Sequence, residues 1–158
     1  MTAPTLDQRI RRLEDIEALK VLKSRYAEYC DDGYDPERLA PLFTRDAIWD
    51  GGVLGRAEGR DAIRAFFAVA SKVMPFAIHH VTNAAIDVEG DRGTGHWNLW
   101  QPCVHATGDQ ALWIAARYHD EYRREDGAWR FSKVSVRVNM LSPYELGWSR
   151  ARMVEVPA

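Results

Sequence analysis

Apolar positions in the first thirty residues recur every three or four: Leu13, Ile16, Leu19, Leu22, Tyr26 and Tyr29. That period lines one face of a helix and predicts one from about Thr5 to Cys30. Thr5 or Asp7 can cap its start and Gly33 can end it. Pro36 suits the first turn of a short second helix reaching about Phe43, and Ala47 to Asp50 has the look of a short strand. Gly51, Gly52, Gly55 and Gly59 then form a loop. Ile63, Phe66, Phe67 and Ala70 fall at helical spacing within Asp61 to Val73, a helix closed by Pro75.

Beyond Pro75 the period changes. Four runs follow, near Ile78 to Glu89, Gly93 to Val104, Ala111 to Arg123 and Trp129 to Leu141, separated by turns rich in Asp and Gly. Helices first and hairpin-linked strands afterwards predict an α+β fold, a mostly antiparallel meander with the helices on one face. Runs longer than ten residues imply bends or bulges and a sheet that curls around a cavity.

Composition narrows the function. The 158 residues and 18.0 kDa suit a single domain, 1–158, with its core at about 10–148. The content is 46% hydrophobic and 28% charged, which is that of a folded chain. The net charge of -2 leaves no broad electropositive surface for nucleic acid. Arg9, Arg11 and Arg12 are offset at once by Glu14, Asp15 and Glu17, as on a solvated helix face. Cys30 and Cys103 make neither a disulfide framework nor a zinc ribbon, so the expected home is the reducing cytoplasm. No apolar run approaches the ~18 residues of a membrane span, and Met1 to Asp7 lacks the basic start of a signal peptide. Neither secretion nor membrane insertion is expected.

Histidine titrates nearest neutrality and offers the first candidate chemistry. His79 and His80 are adjacent at the predicted start of a strand, so alternation sends one into the cavity and one out. The same alternation argues against a metal site on the pair, and none is expected. Asp32 lies three residues beyond Tyr29, where a carboxylate continuing the buried stripe needs a partner; the alternative is that it caps the turn with Gly33. Tyr26, on the same stripe, is either core or a pocket donor.

These residues carry a resemblance. Ile16-Glu17-Ala18-Leu19-Lys20, Tyr26, the Asp32-Gly33 step with Leu39 seven residues beyond the aspartate, His79 with Asn83 four later, and Gly127-Ala128-Trp129-Arg130-Phe131 together resemble the SnoaL-like branch of the nuclear transport factor 2 (NTF2) superfamily. The likeness runs from about Leu13 to Trp148. Members include scytalone dehydratase, lindane dehydrochlorinase and bile-acid 7-alpha-dehydratase. The resemblance implies a cone-shaped sheet around a pocket, cofactor-free elimination, and assembly as a homodimer or homotrimer. It makes His79 the base and Asp32 its partner, with Asp31 one alignment step away, and it sets Tyr26 beside a leaving hydroxyl.

Departures from the family sharpen the expectation. Ala27 and Val136 stand where the dehydrochlorinase has a lysine and an arginine, which disfavours halide loss. Gln101 replaces an aspartate of the bile-acid enzyme, and the second histidine of scytalone dehydratase falls near Cys103. The implied reaction is dehydration of a hydrophobic β-hydroxy carbonyl compound, steroid-like or aromatic. The substrate would contact Trp49, Phe67, Gln101, Tyr118, Val136 and Met140. An isomerase or cyclase on the same scaffold, or a non-catalytic binder of small ligands, is the alternative. The closing segment from Ser142 to Trp148 is expected over the pocket mouth or against a neighbouring subunit.

Overall fold

In the computed structural model, which describes residues 3–154, the first helix α1 spans Leu6–Asp31. The Thr5 hydroxyl accepts from the Gln8 backbone N–H and the Gln8 side chain bonds back to the Thr5 N–H, a reciprocal cap that fixes the start. The stripe buries Leu19, Leu22, Lys23, Tyr26, Ala27 and Cys30, whereas Leu13 stays exposed. Helix α2 is only Pro36–Leu39, because after a 3₁₀ turn at Ala40–Leu42 the chain is already in strand β1, Phe43–Asp50. Strand β2 (Arg56–Glu58) occupies what reads in the sequence as loop, and α3 (Arg60–Val73) turns Ile63 and Phe67 inward. Then come β3 (Phe76–Ala77), β4 (His80–Glu89), β5 (Arg92–His105), β6 (Gln110–Glu125) and β7 (Ala128–Pro143).

The sheet runs β2-β1-β7-β6-β5-β3, with β4 following β3 along the same side of β5. The antiparallel meander is the one the turns predict. Its parallel β1–β7 pair, Ile48 to Asp50 against Lys133 to Ser135, joins the two ends of the chain and leaves no local signature. Helices α1 and α3 cover the concave face, giving α+β architecture with an open, curled sheet. Among the described residues no helix is long and apolar enough to cross a membrane.

A bulge in β7 overturns one expected contact. Ala115 pairs with Met140 but Ala116 with Val138, so Asn139 is extra and the alternation shifts by one. Val136 and Leu141 consequently face the cavity, and Met140, expected among the substrate contacts, does not line it. The closing segment does not take the first of its two expected places. Rather than crossing the pocket mouth, Tyr144 packs near Trp113 and Trp148 near Trp100 on the outer face. Residues beyond it return to bond β7, with the Leu141 N–H on the Arg152 carbonyl at 3.0 Å and the Val154 N–H on the Leu141 carbonyl at 3.0 Å.

The core contains an ion pair. Lys23 Nζ lies 2.8 Å from Asp120 Oδ2 and 3.2 Å from the centre of the Tyr118 ring, with both side chains essentially inaccessible. Burial lowers the Lys23 pKa and raises that of Asp120, each opposed by the other's charge. Asp120 also accepts from the Tyr122 hydroxyl at 3.1 Å, which in turn accepts from Trp97 Nε1 at 3.1 Å. Gly95 makes room, since a Cβ there would sit 2.9 Å from the Tyr122 ring and hydroxyl. Asp120→Asn should cost about 3–5 kcal/mol by stranding a buried ammonium. The double variant Lys23→Met, Asp120→Leu should recover most of it. Urea unfolding checks this, and a double variant as unstable as the single one would mean the pair is not coupled.

Candidate active site

Between the helices and the concave sheet lies a cavity of about 380 Å³, within the range of small-molecule sites. His79 enters it from the two-residue link between β3 and β4, not from β4 itself. The link is held by the Ile78 N–H on the Pro102 carbonyl at 3.1 Å. His79 Nδ1 is 2.6 Å from Asp31 Oδ1, and its backbone N–H points at both carboxylate oxygens, at 2.9 and 3.1 Å. Because the carboxylate can only accept, neutral His79 carries its proton on Nδ1 and leaves the Nε2 lone pair free. The His79 side chain is 6% exposed, and His80 points out to solvent.

The partner is therefore Asp31, and the assignment to Asp32 is corrected. Asp32 is the C-cap of α1, its side chain is 61% exposed, and it accepts from Arg38 Nη1 at 2.7 Å. The physical reason is helical spacing. Asp31 continues the buried line of Lys23 and Ala27 at four-residue steps, whereas Asp32 follows Tyr29, which is only half-buried.

Tyr26, Trp49, Phe67, Gln101, Tyr118 and Val136 line the cavity as expected from the sequence. The Tyr26 hydroxyl accepts from Trp49 Nε1 at 2.9 Å, so its own proton is available to donate. Burial holds Tyr26, Tyr34 and Tyr118 well above the ordinary phenol pKa, so they are hydrogen-bond donors rather than bases. Burial also pushes the Cys103 thiol up to about 12 and Cys30 higher still, which makes neither a ready nucleophile. Trp49 packs 4.4 Å from Phe66, measured between ring centres. Gly51 and Gly55 permit this, because a Cβ would come within 2.5 Å of Trp49 and 2.9 Å of Phe66 respectively.

Two lining residues with polar side-chain atoms, Tyr34 and His105, escaped the sequence-based prediction. Tyr34 stacks on Phe67 with ring centres 6.2 Å apart and meets His79 edge-on at 6.1 Å. It adopts a positive φ of 58° just after Gly33, so it looks like a turn residue. His105 is buried and accepts the Thr107 N–H on Nδ1 at 3.2 Å, which sets its neutral proton on Nε2. The signal for it existed, since residues 101, 103 and 105 share one face of β5. Among the described residues no Lys or Arg lines the cavity, and Lys23 sits behind the Tyr118 ring.

Residues 11–135 match the SnoaL-like domain. The chain belongs to the SnoaL-like family. The gamma-hexachlorocyclohexane dehydrochlorinase of Sphingobium indicum is 32% identical over 108 residues, 67% of this chain and 69% of the relative. The crystal structure of a type-3 hexachlorocyclohexane dehydrochlorinase from Novosphingobium barchaimii superposes with a TM-score of 0.77 at 28% identity, over 92% of this chain and 97% of that one. An NTF2-like protein with a cystatin-like fold from Novosphingobium aromaticivorans gives 0.72 at 24% identity, over 87% and 92%, and speaks for the fold alone.

The two pocket imidazoles should show opposite neutral tautomers in long-range ¹H–¹⁵N NMR spectra, Nδ1–H for His79 and Nε2–H for His105. Asp31→Asn should erase the His79 preference and Asp32→Asn should leave it intact. The reverse pattern would restore Asp32 as the partner.

Proposed function

We propose that this SnoaL-like protein is a cofactor-free carbon–oxygen lyase that removes water from a hydrophobic β-hydroxy carbonyl compound. The observation that supports it most is the His79–Asp31 contact, a 2.6 Å hydrogen bond facing an otherwise largely apolar cavity. His79 Nε2 takes the proton beside the carbonyl, and Asp31 stabilises the imidazolium and keeps the ring oriented. Electrons from the broken C–H bond form the enolate, whose oxygen the Tyr26 hydroxyl can meet as a donor. Collapse of the enolate breaks the C–O bond. The imidazolium returns its proton to the leaving oxygen, so His79 ends neutral and the net change is loss of water.

The leaving group follows from the charges. A departing halide takes no proton and is best received by a permanent cation, and among the described residues no Lys or Arg lines this cavity. A departing hydroxyl needs a proton instead, which the imidazolium supplies. The aromatic wall of Trp49, Phe66, Phe67 and Tyr34 favours a planar or polycyclic substrate.

Hydroxy-ketosteroids and aromatic β-hydroxy ketones should give rising enone absorbance in the ultraviolet. His79→Ala should lower kcat about a hundredfold or more with ligand binding retained, and Tyr26→Phe should lower it less. Hexachlorocyclohexane is the opposing substrate. Turnover of the halide but of no hydroxy ketone would overturn the assignment of the leaving group, and unchanged turnover in His79→Ala would overturn the base.

A further inference from the structure

The outer face of the sheet carries a second pair of imidazoles that the pocket chemistry does not use. His96 on β5 and His119 on β6 are directly opposite in the antiparallel register, and their rings lie 4.3 Å apart, nearly perpendicular at 82°. Both residues are exposed, because their strands alternate Trp97 and Leu99, Tyr118 and Asp120 inward. We infer that His96 and His119 together form a binding site for a divalent transition metal, Cu²⁺ or Ni²⁺ in preference to Zn²⁺.

Imidazole nitrogen is a favoured donor for these ions, with metal–nitrogen bonds of about 2.0–2.1 Å. Two imidazoles on one ion at angles between square and tetrahedral have ring centres roughly 4.5–5.2 Å apart by those bond lengths. The observed separation is a few tenths of an ångström short of that range. Metal binding requires the two solvent-facing side chains to rotate so that a nitrogen of each ring turns towards a shared point. The backbone does not move, since the pair is already set by strand register.

The surroundings leave room for an ion. The cross-sheet neighbours are Ala85 on β4 and Ser135 on β7, both small. Arg117 and Arg137 flank the pair on one side, and on the other Glu121 and Asp87 are each matched by a base, Lys133 at 3.9 Å and Arg12 at 2.7 Å, so any ion is held by the imidazole nitrogens and not by surrounding negative charge. Among the described residues no third His, Cys or carboxylate completes a closed cage. The remaining positions on the metal fall to water, which suits Cu²⁺ and Ni²⁺ in tetragonal geometry better than a structural zinc.

Calorimetric titration of the untagged protein with Cu²⁺, and separately with Ni²⁺ and Zn²⁺, tests the site. The expected result is one Cu²⁺ per chain with nitrogen splitting from two imidazoles in the electron paramagnetic resonance spectrum, and weaker Ni²⁺ and Zn²⁺. The double variant His96→Asn, His119→Asn should bind Cu²⁺ at least tenfold more weakly, and it should lose the rise in Tm that the ion gives the parent protein. His80→Asn, which alters another exposed imidazole, should change neither. Equal Cu²⁺ affinity in the parent and the double variant, or loss in His80→Asn alone, overturns the site.

Discussion

The carboxylate of Asp31 is the group on which the geometry of the pocket depends. It is the last residue of α1, and it receives the His79 ring and the His79 backbone N–H together. One side chain therefore fixes where the helix meets the β3–β4 link, which way the imidazole faces, and which of its nitrogens is free. Removing it would release all three at once, whereas the exposed ion pairs on the surface contribute little individually.

Support for that contact is distributed through the fold. The buried line from Lys23 through Ala27 anchors α1 against the sheet, and Lys23 is itself held by Asp120 and the Tyr118 ring beneath the cavity. The Lys23 ammonium is thereby paired behind an aromatic wall. What faces the ligand is a set of neutral donors, a basic imidazole nitrogen and apolar rings. That is a suitable environment for moving one proton at carbon and returning it to oxygen, and a poor one for receiving a free anion.

Much of this was legible in the sequence, and the failures have physical causes. Period alone located α1, α3 and the four meander strands, and turn residues ordered them. Adjacency of His79 and His80 implies that one of them enters the cavity, and the resemblance, through Asn83 four residues on, points to His79. The resemblance favours Asp32 over Asp31 by its seven-residue distance to Leu39, a single alignment step, whereas the line that leads to Asp31 runs through Lys23 and Ala27, residues that hydrophobicity does not mark. Met140 falls outside the cavity because Asn139 is an extra residue in β7, a bulge that no sequence pattern marks. The parallel pairing of β1 with β7 and the Lys23–Asp120 pair link residues far apart in the chain, and no local pattern encodes either.

The central claim is that His79, set by Asp31, takes a proton from carbon next to a carbonyl. Hydrogen–deuterium exchange separates that step from any leaving group. A hydrophobic ketone lacking the β-hydroxyl is incubated with the protein in D₂O and its α-protons are followed by ¹H NMR. Exchange well above the buffer rate in the parent protein and in Asp32→Asn, and near the buffer rate in Asp31→Asn and His79→Ala, is the predicted result. Exchange in the parent protein no faster than in buffer, across ketones shown to bind the cavity, would contradict it.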